Sequence, residues 1–359
     1  MILWKPYLTE LFGESPDAVN KIKSIIKITD ILSEDNLKVQ DKLYLLRYVK
    51  KLDTDAQIFI FPWLIKLISD PAAPIRFTIF EIINELFSGF IPNDNIRDIT
   101  NKPANIDYIL QEVKNILINE SDMELNIKFT DLSVIKKPVF ALSIIIGINH
   151  YLIKKEKTLP PIETIQQFID EENSTMKSIL YKWLLEGPVY IRFLIVYMMS
   201  ETNVSVSPYD SDVCDILRST YEKDIDPLIA GHAIESYAQC TNTEELEIKK
   251  AVNYLKNEYS TLENRNMAWR DEYNYTDIYK IISISLFRAI TILAYKFTDN
   301  VDVLELLNKI VTSPPVNNLS LFTGDYDNHT KEHILTAALH LFGPEVNIEI
   351  RPEKIKKKM

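Results

Sequence analysis

Apolar residues between Leu64 and Phe87 recur at helical spacing on both sides of a short polar break. Downstream of the break, Ile75, Ile79, Ile82, Ile83, Leu86 and Phe87 form one wide apolar face at a period near 3.6. The break itself holds Asp70, Pro71 and Pro74. Asp70 can accept a hydrogen bond from an unpaired amide of the next helix's first turn. Pro71 suits a helix start, where a missing N–H costs nothing, and Pro74 still fits within the first turn. Gly89 suits a C-cap. The pattern predicts two helices folded back on each other, with apolar surface on two sides that needs neighbours of the same kind.

The same periodicity predicts helices over 15–32, 38–52, 56–69, 74–88, 105–118, 124–134, 138–155, 161–172, 174–186, 189–200, 210–222, 227–240, 243–259, 276–297, 299–312 and 330–342. Ser15 and Pro16 supply a cap and a first-turn proline for the first of these. The most apolar run, Val139 to Ile153, has 15 residues and includes Asn149 and His150. It falls short of the roughly 20 needed to span a bilayer and reads as a helix buried on most sides. Ile278 to Leu293 is apolar almost all round, which places it between helical layers. Period-2 alternation is rare, and no Asn-Gly or Asp-Gly turn occurs. Stretches 89–104, 201–209 and 313–329 are predicted to be irregular, and such loops often carry binding residues.

The first hairpin recurs. Gly187-Pro188-Val189-Tyr190-Ile191-Arg192-Phe193 echoes Asp70-Pro71 through Ile75-Arg76-Phe77, and Asp226-Pro227 opens a third apolar helix. Pro188 and Pro227 are 39 residues apart; Pro71 and Pro188 are 117 apart, three times that interval. Residues 57–88 resemble a HEAT repeat, in which a helix, an Asp-Pro turn and Val/Ile-Arg lead into a second helix. Residues 176–200 and 212–240 are further matches. The resemblance implies an all-α fold: a right-handed α-α superhelix of about eight helix pairs. It would run as one solenoid over 1–350, ahead of a basic tail at 351–359 with Lys354, Lys356, Lys357 and Lys358. It also implies a concave face that grips a protein, and an internal ladder joining Arg76 to Asp70. Gly187 stands where the second copy would need the ladder's aspartate, leaving Arg192 as a candidate binding residue.

Composition narrows the functional classes. Glycine accounts for 7 of 359 residues, well below the roughly 7% of an average protein, and no G-x-G or G-K-[ST] is present. Dinucleotide and nucleoside-triphosphate loops are thereby excluded in recognisable form. The net charge is −11, and residues 201–250 carry eleven Asp/Glu against four Lys/Arg. That balance disfavours nucleic acid, whose phosphates need clustered cations, and points to a basic protein or peptide as partner. Cys214 and Cys240 alone do not make a disulfide framework, and Met1 to Pro6 lack a signal-peptide layout. A cytoplasmic setting without membrane contact is expected.

Few motifs suggest chemistry. His329, Glu332 and His333 match H-x-x-E-H, a zinc-peptidase pattern, but Glu345, Glu349 and Glu353 are poorly placed to complete the site. His150 and His232 lie in apolar helices and read as core residues. The segment with Met267, Trp269, Arg270, Tyr273 and Tyr275 is the best candidate protein interface, because Trp, Arg and Tyr dominate binding hot spots. The sequence therefore favours a non-enzymatic, cofactor-free scaffold that binds a protein or peptide. An acidic inhibitor masking a basic enzyme is the first alternative; a helical hydrolase with a dispersed site is the second.

Overall fold

The computed structural model describes residues 4–32, 37–98, 104–123, 131–155, 161–170, 175–209, 211–224, 226–261 and 275–312. Every regular element among these residues is helical. The chain divides into two compact units, Met1–Ile216 and Leu217–Met359.

The first unit opens with α1 (Lys5–Phe12), α2 (Pro16–Leu32), α3 (Val39–Val49), α4 (Thr54–Leu64) and α5 (Ala73–Phe87). Ser15 Oγ accepts from the Ala18 amide at 3.2 Å, with Pro16 as the first residue of α2. Asp53 caps α4 by accepting from the Ala56 amide at 2.9 Å. Gln57 Nε2 donates to the carbonyls of Val49 and Leu52, which closes the α3–α4 turn. The helix predicted over 56–69 tightens into a 3-10 turn at Ile65–Ser69. The Asp70 amide bonds back to the Leu67 carbonyl, and the prolines beyond cannot prolong the helix. Helix α5 ends at Phe87, and Gly89 takes φ +87°, a conformation that costs glycine little.

Helices α3 and α5 run side by side in the same direction. Lys42 Nζ meets Asp70 Oδ2 at 2.7 Å at one end, and Lys50 Nζ meets Glu81 and Glu85 at 3.1 and 3.4 Å at the other. Helix α2 packs on α4 in the same next-but-one relation.

The unit continues with α6 (Asn93–Arg97), α7 (Ala104–Asn119), α8 (Lys136–Lys155), α9 (Pro161–Asp170), α10 (Thr175–Glu186) and α11 (Val189–Thr202). Short α6 lies within a stretch predicted to be irregular. Of the helix predicted over 124–134, residues 132–134 form turns, 131 has no regular structure, and 124–130 lie outside the described residues. Helix α8 is the apolar run around Val139 to Ile153. It touches α4, the 3-10 turn, α7, α9 and α11, which accounts for its near-complete burial. A Cβ on Gly147 would lie 2.7 Å from Ile65 Cγ1, so glycine is what lets α8 approach the 3-10 turn closely.

One aromatic core ties α4 to α11. The Trp4 ring packs against Phe59, Tyr190 and Phe193 with centroids 5.3, 5.6 and 4.8 Å away. Tyr190 Oη donates to the Phe59 carbonyl at 2.5 Å, and Trp63 stacks on Phe193 and Tyr197. In a strict solenoid each repeat touches only its neighbours. Here residues 131 positions apart share a hydrogen bond, so contacts in this unit reach beyond adjacent hairpins.

The second unit holds the C-terminal part of α12 (Val213–Lys223), then α13 (Pro227–Cys240), α14 (Glu245–Thr261), α15 (Tyr275–Lys296) and α16 (Val301–Thr312). Its most extensive pair is α13 with α15, where buried Ala230, Gly231, Ala233 and Ala238 keep the α13 surface low. Helix α15 also touches α14 and α16, as expected of a helix apolar almost all round. Asp226 caps α13, accepting from the amides of Leu228 at 2.9 Å and Ile229 at 3.4 Å, with Pro227 behind it. Asp226→Ala is expected to lower stability by about 1–2 kcal/mol. A chemical-denaturation midpoint indistinguishable from wild type would show that the cap is dispensable.

Candidate functional site

The three turns predicted from sequence differ in chemistry. Asp226 and Pro227 form the expected cap and first-turn proline. At the first turn the helix begins two residues later than Pro71, at Ala73, so Pro74 is the proline of its first turn. Asp70 Oδ1 accepts from the Ala72 amide at 2.9 Å, holding the turn rather than the helix. The ladder implied by the HEAT resemblance does not form between these side chains. Arg76 Nη1 instead donates to the carbonyls of Asp70 and Pro71 at 2.7 and 2.9 Å, while the Asp70 carboxylate takes Lys42. A lysine on the neighbouring helix reaches the carboxylate, so the guanidinium holds the turn's backbone.

In the second turn, Pro188 caps α11 in extended conformation, without a side-chain hydrogen bond. A Cβ on Gly187 would lie 2.4 Å from the Trp183 carbonyl oxygen, which leaves no room for the aspartate of the first copy. Arg192 is 7% exposed, among the buried residues of α11, and is not presented to a partner surface. Tyr275 begins α15, and its side chain lies outside the described residues, as do Met267, Trp269, Arg270, Tyr273, His329, Glu332 and His333.

A polar cluster that the sequence did not announce lies in the first unit. Lys66 Nζ of the 3-10 turn is 2.6 Å from Glu201 Oε1, and His150 Nε2 of α8 is 2.7 Å from Glu201 Oε2. Asn149 Nδ2 donates to the Glu201 carbonyl at 2.8 Å. The Lys66 ammonium stands 4.8 Å from the Tyr197 ring centroid. Burial alone would raise the Glu201 carboxyl, but the His150 hydrogen bond and the Lys66 charge outweigh it and bring the pKa to about 2. Burial, with the Glu201 charge adding, holds the Tyr197 phenol well above its usual value. An ionised carboxylate with both oxygens engaged is a poor general base. What this cluster can do is fix the end of α11 against α8, immediately before Asn203 turns the chain at φ +53°. Past that turn, Val204, Val206 and Ser207 are buried, so the predicted loop at 201–209 is anchored.

Much of the acidic excess over 201–250 is already engaged. Asp212 and Asp224 hold turn amides, and Asp226 caps α13. Glu201 and Glu247 pair with lysines, while Glu235 lies 3.7 Å from Arg288. Glu222 accepts from Tyr254, whose ring also packs against Tyr221, Tyr237 and the Arg218 guanidinium. In the same unit burial pushes His232 well below its usual pKa, with Arg288 adding, so the imidazole is neutral at pH 7.

Among the described residues, no helix is long and apolar enough to cross a membrane. Comparison with known proteins gives no match to a family model, a curated protein or a solved structure.

Proposed function

We propose that this chain is a protein-interaction scaffold without catalytic activity of its own, built from HEAT-like helical hairpins stacked in a right-handed superhelix. It would bind a protein or peptide, need no cofactor, and work in the cytoplasm. The observation that carries this reading is the parallel pairing of next-but-one helices. α3 lies beside α5 with matched ion pairs at both ends, and α13 beside α15 repeats the relation in the second unit, where Lys296 at the end of α15 donates to the Gln239 carbonyl near the end of α13. Stacked hairpins bury their apolar flanks in this way and leave long polar faces for recognition.

The acidic-inhibitor reading loses support, because many of the carboxylates that suggested it cap helices or pair internally. The hydrolase reading gains none from Glu201, whose oxygens both carry partners.

Small-angle scattering and cross-linking test the proposal together. A compact globule of this length has a radius of gyration of about 21 Å, and a stacked array should exceed it clearly. Cross-linking in extract from the native source should join the chain to one protein at fixed stoichiometry. A globule-like radius overturns the superhelix; turnover of a substrate by the purified chain overturns the non-catalytic role.

A further inference from the structure

Helix α3 divides its residues between two sides. Lys42, Leu46 and Lys50, spaced four apart, form the stripe through which it meets the Asp70 turn and α5. Leu45, Leu46 and Val49 are buried on that half of the helix. Tyr44, Arg47, Tyr48 and Lys51 follow at three- and four-residue spacing about half a turn away, so they share one stripe pointing from the core. Tyr44 is 76% exposed and Tyr48 39%; Arg47 and Lys51 are exposed as well. Gln40 extends the face toward the helix start and Asp41 stands at its margin, whereas the N-cap residue Lys38 falls by helical spacing on the side of Leu45 and Val49.

The charge on this stripe runs against the chain. In a protein of net charge −11, α3 and the turn that follows it direct Lys42 and Lys50 onto carboxylates and leave Arg47 and Lys51 outward, with Asp41 as the lone anion of the face. Among the described residues neither Arg47 nor Lys51 forms an ion pair. The favourable position of cations in a last helical turn accounts for Arg47, but not for two tyrosines in open solvent. Tyrosine and arginine are the residue types that dominate protein-binding hot spots, because each covers a large area and keeps a polar end.

We propose that the Tyr44–Arg47–Tyr48–Lys51 stripe is a docking surface for an acidic polypeptide segment, carrying carboxylates for the two cations and apolar side chains for the two rings. This rests on the scaffold reading and names the chemistry of one partner. Nucleic acid fits less well: two cations with an aspartate beside them are too few for strong phosphate neutralisation. From Gln40 to Lys51 the stripe is about 16 Å long, enough for about three turns of a partner helix. A contact of that size falls at the small, transient end of protein interfaces.

Selection from a displayed random-peptide library against the whole protein tests this, with counter-selection on a Y44A/R47E/Y48A/K51E variant. Enriched peptides are expected to have net negative charge with apolar residues between the carboxylates. A selected peptide should bind the variant at least about tenfold more weakly, at unchanged melting temperature, and should weaken with added salt. The conservative Y44F/Y48F variant should keep most of the affinity. Enriched peptides that are neutral or basic overturn the proposal, as does equal binding to the variant or stronger binding of single-stranded RNA. Peptides that the variant still holds would place docking elsewhere and leave the scaffold reading standing. No enrichment at all overturns the α3 assignment, while the cross-linking experiment decides the scaffold separately.

Discussion

Replacing Trp4 by alanine should cost the first unit about 3–5 kcal/mol, the usual range for emptying a large aromatic site in a core. Trp4 is fully buried, and its ring edges meet Tyr7, Phe59, Tyr190 and Phe193, so no single neighbour can move in to fill the space. The loss should appear as a lower denaturant midpoint for that unit. It should exceed the loss from Tyr190→Phe, which removes only the hydrogen bond to the Phe59 carbonyl and should cost about 1 kcal/mol. A Trp4→Ala protein within 1 kcal/mol of wild type would mean that α1 is not docked on the α4–α11 core.

Glu201→Gln should be the second large effect. The amide keeps the shape but removes the charge that compensates Lys66 and leaves His150 facing a neutral partner. Breaking a fully buried pair costs about 3–5 kcal/mol, but these side chains keep 15–21% exposure, so water reaches them and about 2–3 kcal/mol is expected. The pH dependence follows from the lowered carboxyl. Folding favours the ionised form, so its contribution is complete above the ordinary value of 4.5 and disappears as pH falls through about 2. Across that window the wild type should lose about 3 kcal/mol that the variant never had. Parallel stability curves for the two proteins between pH 5 and 2 would contradict the ion-pair account.

The helices were legible because their signal is local. Ser15-Pro16 before α2, Asp226-Pro227 before α13 and the isoleucine stripe of α5 each state a boundary or a face within a few residues. Where tighter geometry replaces the 3.6 period the reading weakened: Ile65–Ser69 continues the apolar pattern of α4 at Ile65, Leu67 and Ile68, yet folds as a 3-10 turn. Helix α1 and the short α6 escaped notice because each has too few turns to display a period. The polar cluster was illegible for a different reason. Lys66, His150 and Glu201 come from three elements, and no spacing joins residues 135 positions apart. One hint was available: Asn149 and His150 interrupt an apolar run, and buried polar groups need partners. It could not say which carboxylate would answer. Arg192 shows the converse error. The repeated Ile-Arg-Phe was real, but in α11 the helix is covered on nearly every side, so the same residue that holds a surface turn at Arg76 is enclosed.

The link between Trp4 and Tyr190 constrains how the protein is made. A ribosome adding about 5–20 residues per second takes about ten to forty seconds to travel from the first of these codons to the second. Throughout that interval the indole has no tyrosine to receive it, and the α4 surface around Phe59 and Trp63 stays uncovered. Nascent chains stalled before Pro188 should therefore bind a hydrophobic dye or a chaperone, and chains stalled well beyond Thr202 should not.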